Sequence, residues 1–317
     1  MTEQLLSFIA DGSVLVMWAA LLFHFILPIP LDYHPMVLWG KFAILLSDKV
    51  NKQQSQQQRL LSGSLSWLLM CIPALMVLVA ALPLIWKVEL YNLALLLLAI
   101  EWRGSEKIST TLVNSLRVED KAQARSLLAN YVNRETSTLS LLGLGKTGAE
   151  TMILSYSRNI VAVLFWYAIG GGIAAIMYRL IAELARNWSP SRPLFRPFGL
   201  PSVYLLAALD FIPLRLFALL LCVGSNAKGS FHALSTQGKQ WLLPGPGWLL
   251  ASVGGKLEIS LGGPAIYQQQ KMIRPKVGGR IAPSAYHLAQ LRTLLNNRII
   301  IWVAIQSLIM IAINQGL

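Results

Sequence analysis

The chain has 317 residues, of which 55% are hydrophobic and only 13% charged, about half the charged share of ordinary soluble domains. That balance excludes a disordered or fibrous chain and argues against a soluble globule; it points to a polytopic membrane protein. Lys and Arg number 27 against 14 Asp and Glu, a formal net charge of +13. We assign this excess to membrane-flanking loops, which are rich in Lys and Arg, and not to nucleic-acid binding.

The first apolar run is Val14 to Ile29, with Pro28 and Pro30 at its end; Leu5 to Ala10 could extend it. The N-terminal stretch lacks the basic region of a cleaved signal peptide, so this run is expected to stay as an anchor. Leu65 to Trp86 is long and uncharged, with Pro73 and Pro83 as kink points. Residues 88–102 form either a third crossing or a re-entrant half-helix. Ile160 to Ile181 carries Gly170-Gly171-Gly172, small residues that permit close helix approach. Val203 to Val223 holds Asp210 and Arg215, and Ile299 to Ile313 is the last run. The expected fold is all-α: a polytopic membrane helix bundle of five to six spans, one integral membrane domain over residues 1–317.

Two basic segments interrupt the runs. Residues 103–158 show apolar positions at helical spacing (Ile108, Leu112, Leu116), and Glu119-Asp120 opens a second amphipathic stretch. Residues 224–297 are rich in Gly and Pro, notably Pro244-Gly245-Pro246-Gly247 and Gly262-Gly263-Pro264. If 88–102 crosses, the basic segments at 41–59, 103–158 and 224–297 share one side, which the positive-inside rule makes cytoplasmic. Residues 182–202, with Arg186, Arg192 and Arg196, then fall on the opposite side against the rule. Gln53 to Gln58 is expected to be a polar surface turn.

Some motifs suggest chemistry. Gly143-Leu144-Gly145-Lys146-Thr147-Gly148 looks like the end of a phosphate-cradling loop, but Ser140 stands where a first Gly is needed and no strand precedes it. A helix-connecting turn with a basic residue is the default. Gly262-Gly263-Pro264, with Tyr267 and Lys271, could leave backbone N–H groups open to a phosphate or carboxylate; Arg274, Lys276 and Arg280 follow. The alternative is a basic loop touching anionic headgroups. Asp210 and Arg215 make either a structural pair or an intramembrane site. The four histidines, His24, His34, His232 and His287, lack metal-ligand spacing. Cys71 and Cys222 sit in apolar runs, which argues against a disulfide framework or a cysteine zinc site. No metal ligands are assigned.

Placed in order, these landmarks resemble the CobD/CbiB membrane family, the adenosylcobinamide-phosphate synthases of cobalamin biosynthesis. His34-Pro35 with Gly40-Lys41 resembles the family's H-P-x-x-x-x-G-[RK]. Arg125 and Asn133-Arg134-Glu135-Thr136-Ser137 resemble A-R and G-R-D-T-S. Ala149-Glu150-Thr151 opens the E-T-V-A-E-N-x-x-D-G stretch, and Pro213-Leu214-Arg215-Leu216 resembles P-A-R-L. Trp248 through Leu257, then Leu261-Gly262-Gly263-Pro264, Tyr267 and Pro275, follow the last pattern. Several family acids are missing: Leu154 and Arg158 replace the acids of E-N-x-x-D-G, Ala185 replaces an Asp, and Leu250 replaces a Glu. Leu209 through Leu216 and Leu164-Phe165-Trp166 also resemble the related AmpE-type membrane proteins linked to β-lactamase regulation.

The resemblance implies conversion of adenosylcobyric acid to adenosylcobinamide phosphate by ATP-dependent amide ligation of aminopropanol phosphate, with ATP and Mg²⁺ as cofactors. Glu150, Arg134 and Glu135 would be catalytic. His34, Lys41, Thr136, Lys146, Arg215, Gly262, Gly263, Tyr267 and Lys271 would bind substrate. The implied partners are a corrinoid, a small phosphorylated amine and the lipid bilayer of a bacterial inner membrane; homo-oligomer formation is left open. The missing acids motivate a second reading: a catalytically degenerate paralogue serving as an AmpE-like sensor, scaffold or corrinoid-binding protein. Transport is a third and weaker reading, since no inverted repeat is visible.

Overall fold

A computed structural model of the chain describes residues 12–26, 34–52, 55–241 and 246–314. The N-terminal extension from Leu5, the end of the first run beyond Ile26, and Pro244-Gly245 lie outside the described residues. Apart from four strands of three residues each, the regular structure is helical. The N-terminal elements are α1 (Gly12–Ile26), α2 (Pro35–Val50), α3 (Gln56–Ala81), α4 (Val88–Ala99), α5 (Trp102–Arg117) and α6 (Lys121–Ala129). Next come α7 (Leu141–Tyr156), a π-helical segment at Ser157–Ala162, α8 (Val163–Asn187) and α9 (Leu200–Cys222). The C-terminal part holds α10 (Ala227–Gln237), α11 (Pro246–Lys256), β1 (Ser260–Gly262), β2 (Ala265–Tyr267), β3 (Gln270–Met272), β4 (Lys276–Gly278) and α12 (Ala285–Asn314).

Local chemistry explains several boundaries. Ser55 and Gln58 form a reciprocal capping box, so Gln56 to Gln58 open α3 where a polar turn is expected from sequence. Asp120 caps α6 by accepting from the Gln123 N–H at 2.9 Å. Helix α3 turns small residues inward (Gly63, Ser66, Cys71) and exposes Leu61, Leu65, Leu69, Met76 and Val77. Such an inverted face is costly in water and natural against lipid tails.

Four helical stretches among the described residues are long and apolar enough to cross a membrane, by length and composition: Gln56–Leu84, Leu141–Asn187, Leu200–Cys222 and Ala285–Ile313. Together they make an all-α membrane helix bundle. Helix α1, with 15 residues, and α4, with 12, reach about 22 and 18 Å at 1.5 Å per residue, less than a hydrocarbon core of roughly 30 Å. Helix α4 nevertheless delivers the chain to the α7 end of the bundle, where the Glu101 N–H donates to the Asn159 carbonyl and Arg179 pairs with the Glu101 carboxylate.

The stretch 141–187 doubles back on itself. Gly170 and Gly171 leave helical geometry, with Gly171 at φ +63°, a conformation that favours glycine. Arg179 donates to Asn159, and Tyr178 and Arg158 both reach Asp210. A straight helix would separate residues 159 and 179 by about 30 Å, so the contacts require a hairpin. Its tip rests on α4: the Gly172 N–H donates to the Asn92 side chain at 2.8 Å, and a Cβ at Gly172 would lie 2.9 Å from the Asn92 Cα. Both arms leave the tip in the same direction, so the chain beyond Asn187 emerges on the side of α7. Residues 182–202 therefore share a side with 103–158, contrary to the expectation from a simple crossing. The glycine run breaks the helix as well as narrowing it.

Candidate anion-binding site

The ordered motifs meet at Glu150. Ser140 caps α7, accepting from Gly143 N at 3.3 Å, so the glycine-rich stretch 143–148 lies inside a helix, neither a phosphate loop nor the expected connecting turn. Its glycines serve packing: a Cβ at Gly145 would stand 1.9 Å from the Pro283 carbonyl oxygen, and one at Gly148 2.3 Å from Leu112 Cδ2. This close fit seats α7 against α5 and α12 and carries Glu150 inward, where it is buried.

Three segments close on its carboxylate. Arg134 donates at 3.1 Å. Arg274 donates through both terminal nitrogens, at 3.1 and 3.4 Å. The Gly262 N–H donates at 2.9 Å. Gly262 and Gly263 have φ of +71° and +85°, and a Cβ at Gly262 would stand 2.1 Å from the Pro275 oxygen. The Gly263 N–H donates to that same carbonyl at 2.9 Å. The turn expected to present open N–H groups to a guest is thus filled from within, one donor by Glu150 and the other by Pro275. The Arg274 Nε also donates to the Gly263 carbonyl at 3.0 Å, and its guanidinium lies 5.6 Å from the Trp241 ring.

Two lysines flank the turn. Lys146 Nζ lies 3.9 Å, and Lys276 Cγ 3.4 Å, from where a Gly263 Cβ would be. Among the described residues, neither ammonium has a hydrogen bond or salt bridge. Four cations, Arg134, Lys146, Arg274 and Lys276, therefore surround one carboxylate, leaving a surplus of three positive charges. Burial pushes the Arg134 guanidinium below its usual value; Glu150 opposes this and Arg274 reinforces it. It stays charged, because guanidinium pKa values lie so far above neutrality.

The other sequence candidates fall in three places. Some hold the site together: Thr136 Oγ1 donates to the Arg125 carbonyl at 3.1 Å, and Arg125 donates to the Leu139 carbonyl at 2.7 Å. Glu135 accepts from Gln269 N at 2.7 Å, while its own N–H donates to Ile266 at 2.9 Å. Glu135 thereby fastens the β2–β3 hairpin, and its assignment as catalytic finds no geometric support. Tyr267 lies near enough to act on Arg134 electrostatically, whereas Lys271 is exposed on β3 opposite Ile266.

Others are remote. His34 caps α2, its Nδ1 accepting from Met36 N at 3.3 Å, and its charged neighbours are Glu101, Arg179 and Glu183. Lys41 is exposed on α2. The Arg215 guanidinium stacks 3.7 Å from the Phe211 ring and 4.6 Å from Trp248, with its Nε unpartnered. Arg215 does not pair with Asp210. Asp210 instead binds Arg158 at 2.8 Å and Tyr178 at 2.7 Å. Arg158, the residue standing in place of a family acid, thus serves as a hairpin staple.

Sequence reasoning noted Arg274 and Lys276 only as cations trailing the glycine turn. The chain runs on from Gly262-Gly263 into β2 and reverses at the positive-φ pair Gln268-Gln269, so that β1 pairs antiparallel with β4, Gly262 opposite Lys276. Among the described residues no group of three or more His, Cys, Asp or Glu could hold a metal ion, and both Glu150 oxygens are engaged by nitrogen donors. The donor set around Glu150 is cationic and fits an anion.

The fold and site define a polytopic helical membrane protein with a cationic, glycine-turn site at one end of the bundle. The CobD/Cbib protein family matches residues 17–295, and the chain belongs to that family. It is 28% identical to the cobalamin biosynthesis protein CobD of Stutzerimonas stutzeri, over 90% of this chain and 94% of the relative. It is likewise 28% identical to that of Chromobacterium violaceum, over 93% and 96%, and 24% identical to that of Clostridium perfringens, over 78% and 81%. No solved structure matches.

Proposed function

We propose that this protein works in cobalamin biosynthesis at adenosylcobinamide phosphate formation, where its cationic cluster binds the anionic reactants: the carboxylate of adenosylcobyric acid and a small phosphorylated amine. The carrying observation is the surplus of cations around Glu150, contributed by segments that the family motifs mark out. A partly buried surplus of positive charge is costly unless an anion joins it, and amide-bond formation between those reactants requires two anions to meet. The protein sits in the bacterial inner membrane with its basic segments, 182–202 included, in the cytoplasm; the hairpin brings every basic segment into line with the positive-inside rule.

The acid-poor site favours binding and orientation of reactants over carboxylate-held Mg-ATP chemistry in this chain. A second reading, the complete amide ligase, is supported by the order of family motifs along residues 17–295. One experiment separates them. A strain lacking its own synthase is given this chain and fed cobyric acid, and the purified protein is titrated with adenosylcobyric acid. Binding without cobinamide formation supports the first reading. Cobinamide formation supports the second, and neither binding nor product overturns both.

A further inference from the structure

Helices α2 and α5 both begin on an imidazole nitrogen. His34 stands at the N-cap of α2 in extended geometry, and its Nδ1 accepts from the Met36 N–H at 3.3 Å. Glu101 stands at the N-cap of α5, but its side chain makes no capping bond; it is engaged by Arg179. His24, from α1, supplies the missing acceptor: its Nε2 takes the Arg103 N–H at 3.1 Å. Beside it, Phe25 packs edge to face on Trp102, ring centroids 5.3 Å apart, and holds α1 against the start of α5.

An N-cap is ordinarily Ser, Thr, Asp or Asn, whose side-chain oxygen accepts throughout the neutral range. An imidazole nitrogen accepts only while it carries no proton. Protonation removes the acceptor and sets a positive charge at a helix N-terminus, where the backbone dipole is already positive. The charged and titratable groups facing the two rings are Glu101 and Arg103 at the start of α5, Arg179 and Glu183 on α8, and each other. Both acids are already paired, Glu101 with Arg179 and Glu183 with Arg186, so neither is left over for an imidazolium. Burial lowers the His34 pKa from its usual 6.5; Glu101 and Glu183 oppose this and Arg179 reinforces it. A histidine with a lowered folded pKa contributes stability that is lost as pH falls below its unfolded value of about 6.5.

We propose that the two imidazole caps form a pH-sensitive joint: on the acid side of neutrality, proton uptake by His24 and His34 frees the first turns of α2 and α5 together while the rest of the bundle stays folded. The joint adjoins the helical hairpin, because Arg179 on its second arm reaches both Glu101 and Asn159. It contains no member of the Glu150 cluster, so its response holds whatever ligand that cluster takes.

The test is hydrogen–deuterium exchange of the full chain in lipid nanodiscs at about pH 7.5 and about pH 5.5, either side of the histidine range, read as protection relative to unstructured peptides at each pH. Protection of residues 36–39 and 103–106 should fall about fivefold on acidification, the worth of a helix cap, with that of α12 unchanged. Asn sets an oxygen near the Nδ1 position and Gln near the Nε2 position, and neither titrates. His34→Asn should therefore keep the start of α2 protected at both pH values while the start of α5 still responds, and His24→Gln should do the reverse. Unchanged thermal unfolding of these variants at neutral pH checks the fold. Histidine ring resonances of the natural chain, titrated over the same range, give a reading that needs no variant: both rings must take up protons where protection falls. Rings that stay neutral, protection that ignores pH, or a response that survives in the double variant overturns the proposal. So does an equal loss of protection along α12, which would make the event global unfolding.

Discussion

Two buried carboxylates, Glu150 and Asp210, are each held by arginine, yet their surroundings differ in charge balance. Asp210 meets one cation, Arg158, and the Tyr178 hydroxyl; the set is neutral and closed. Glu150 meets Arg134 and Arg274 with Lys146 and Lys276 nearby, and that set remains open to a further anion. A matched buried pair fixes geometry and asks for nothing else, whereas an unmatched one marks a place for a guest. In this chain the matched pair pins the helical hairpin inside the bundle, and the unmatched set sits where that hairpin's first arm leaves it.

The strongest way to break this contrast is at Asp210. Asp210→Ala leaves Arg158 unpaired, and we expect about 3–5 kcal/mol loss of stability by denaturant unfolding in detergent. Replacing both partners with apolar residues should recover most of it; no recovery would mean that the pair is not a self-contained staple. At Glu150, Glu150→Gln should cost less, about 2 kcal/mol, because the N–H and arginine donors keep a neutral acceptor. Added phosphate should raise the unfolding midpoint of this variant by filling the vacated charge, and should leave that of the Asp210 variant unmoved.

A third carboxylate sharpens the comparison through pH. Burial alone would raise the Glu106 pKa, but hydrogen bonds from Arg292, Asn296 and Tyr156 outweigh it and hold Glu106 below 4.5. A depressed carboxyl contributes stability above its unfolded pKa and loses it as pH falls through its folded value. Unfolding midpoints should therefore drop below about pH 4.5 in the natural chain, with a shallower acid limb in Glu106→Gln. The smallest effect belongs to Glu135. Glu135→Ala removes one side-chain acceptor from Gln269 N, and should cost about 1 kcal/mol or less. It should speed amide exchange across 265–272 while leaving anion binding within about twofold; a large loss of binding would restore Glu135 to the chemistry.

The legible parts of this fold were the local ones. Asp120 capping α6 and the i, i+4 stripe of α5 follow from residues a few positions apart. The apolar runs announced the bundle, and the family motifs marked Glu150 and Arg134, which the fold does bring together. Contacts made by long-range closure were illegible. Arg274 stands 124 positions from Glu150, and they meet through the β2–β3 hairpin, which folds the chain back so that β4 pairs with β1. Arg158 and Asp210 lie 52 positions apart and meet because Gly170-Gly171 reverses the chain; three adjacent glycines in sequence are equally consistent with a packing notch. The basic loop 182–202 looked misplaced for the same reason, since hydropathy records that a segment is greasy and is silent on whether it turns back.

The central claim is tested most directly by equilibrium binding of adenosylcobyric acid to the chain in lipid nanodiscs, natural against Arg274→Gln. The cationic cluster predicts saturable binding that falls roughly tenfold or more in the variant, the loss of a charged partner. Equal affinity in the two proteins, or no binding by the natural chain, would contradict it.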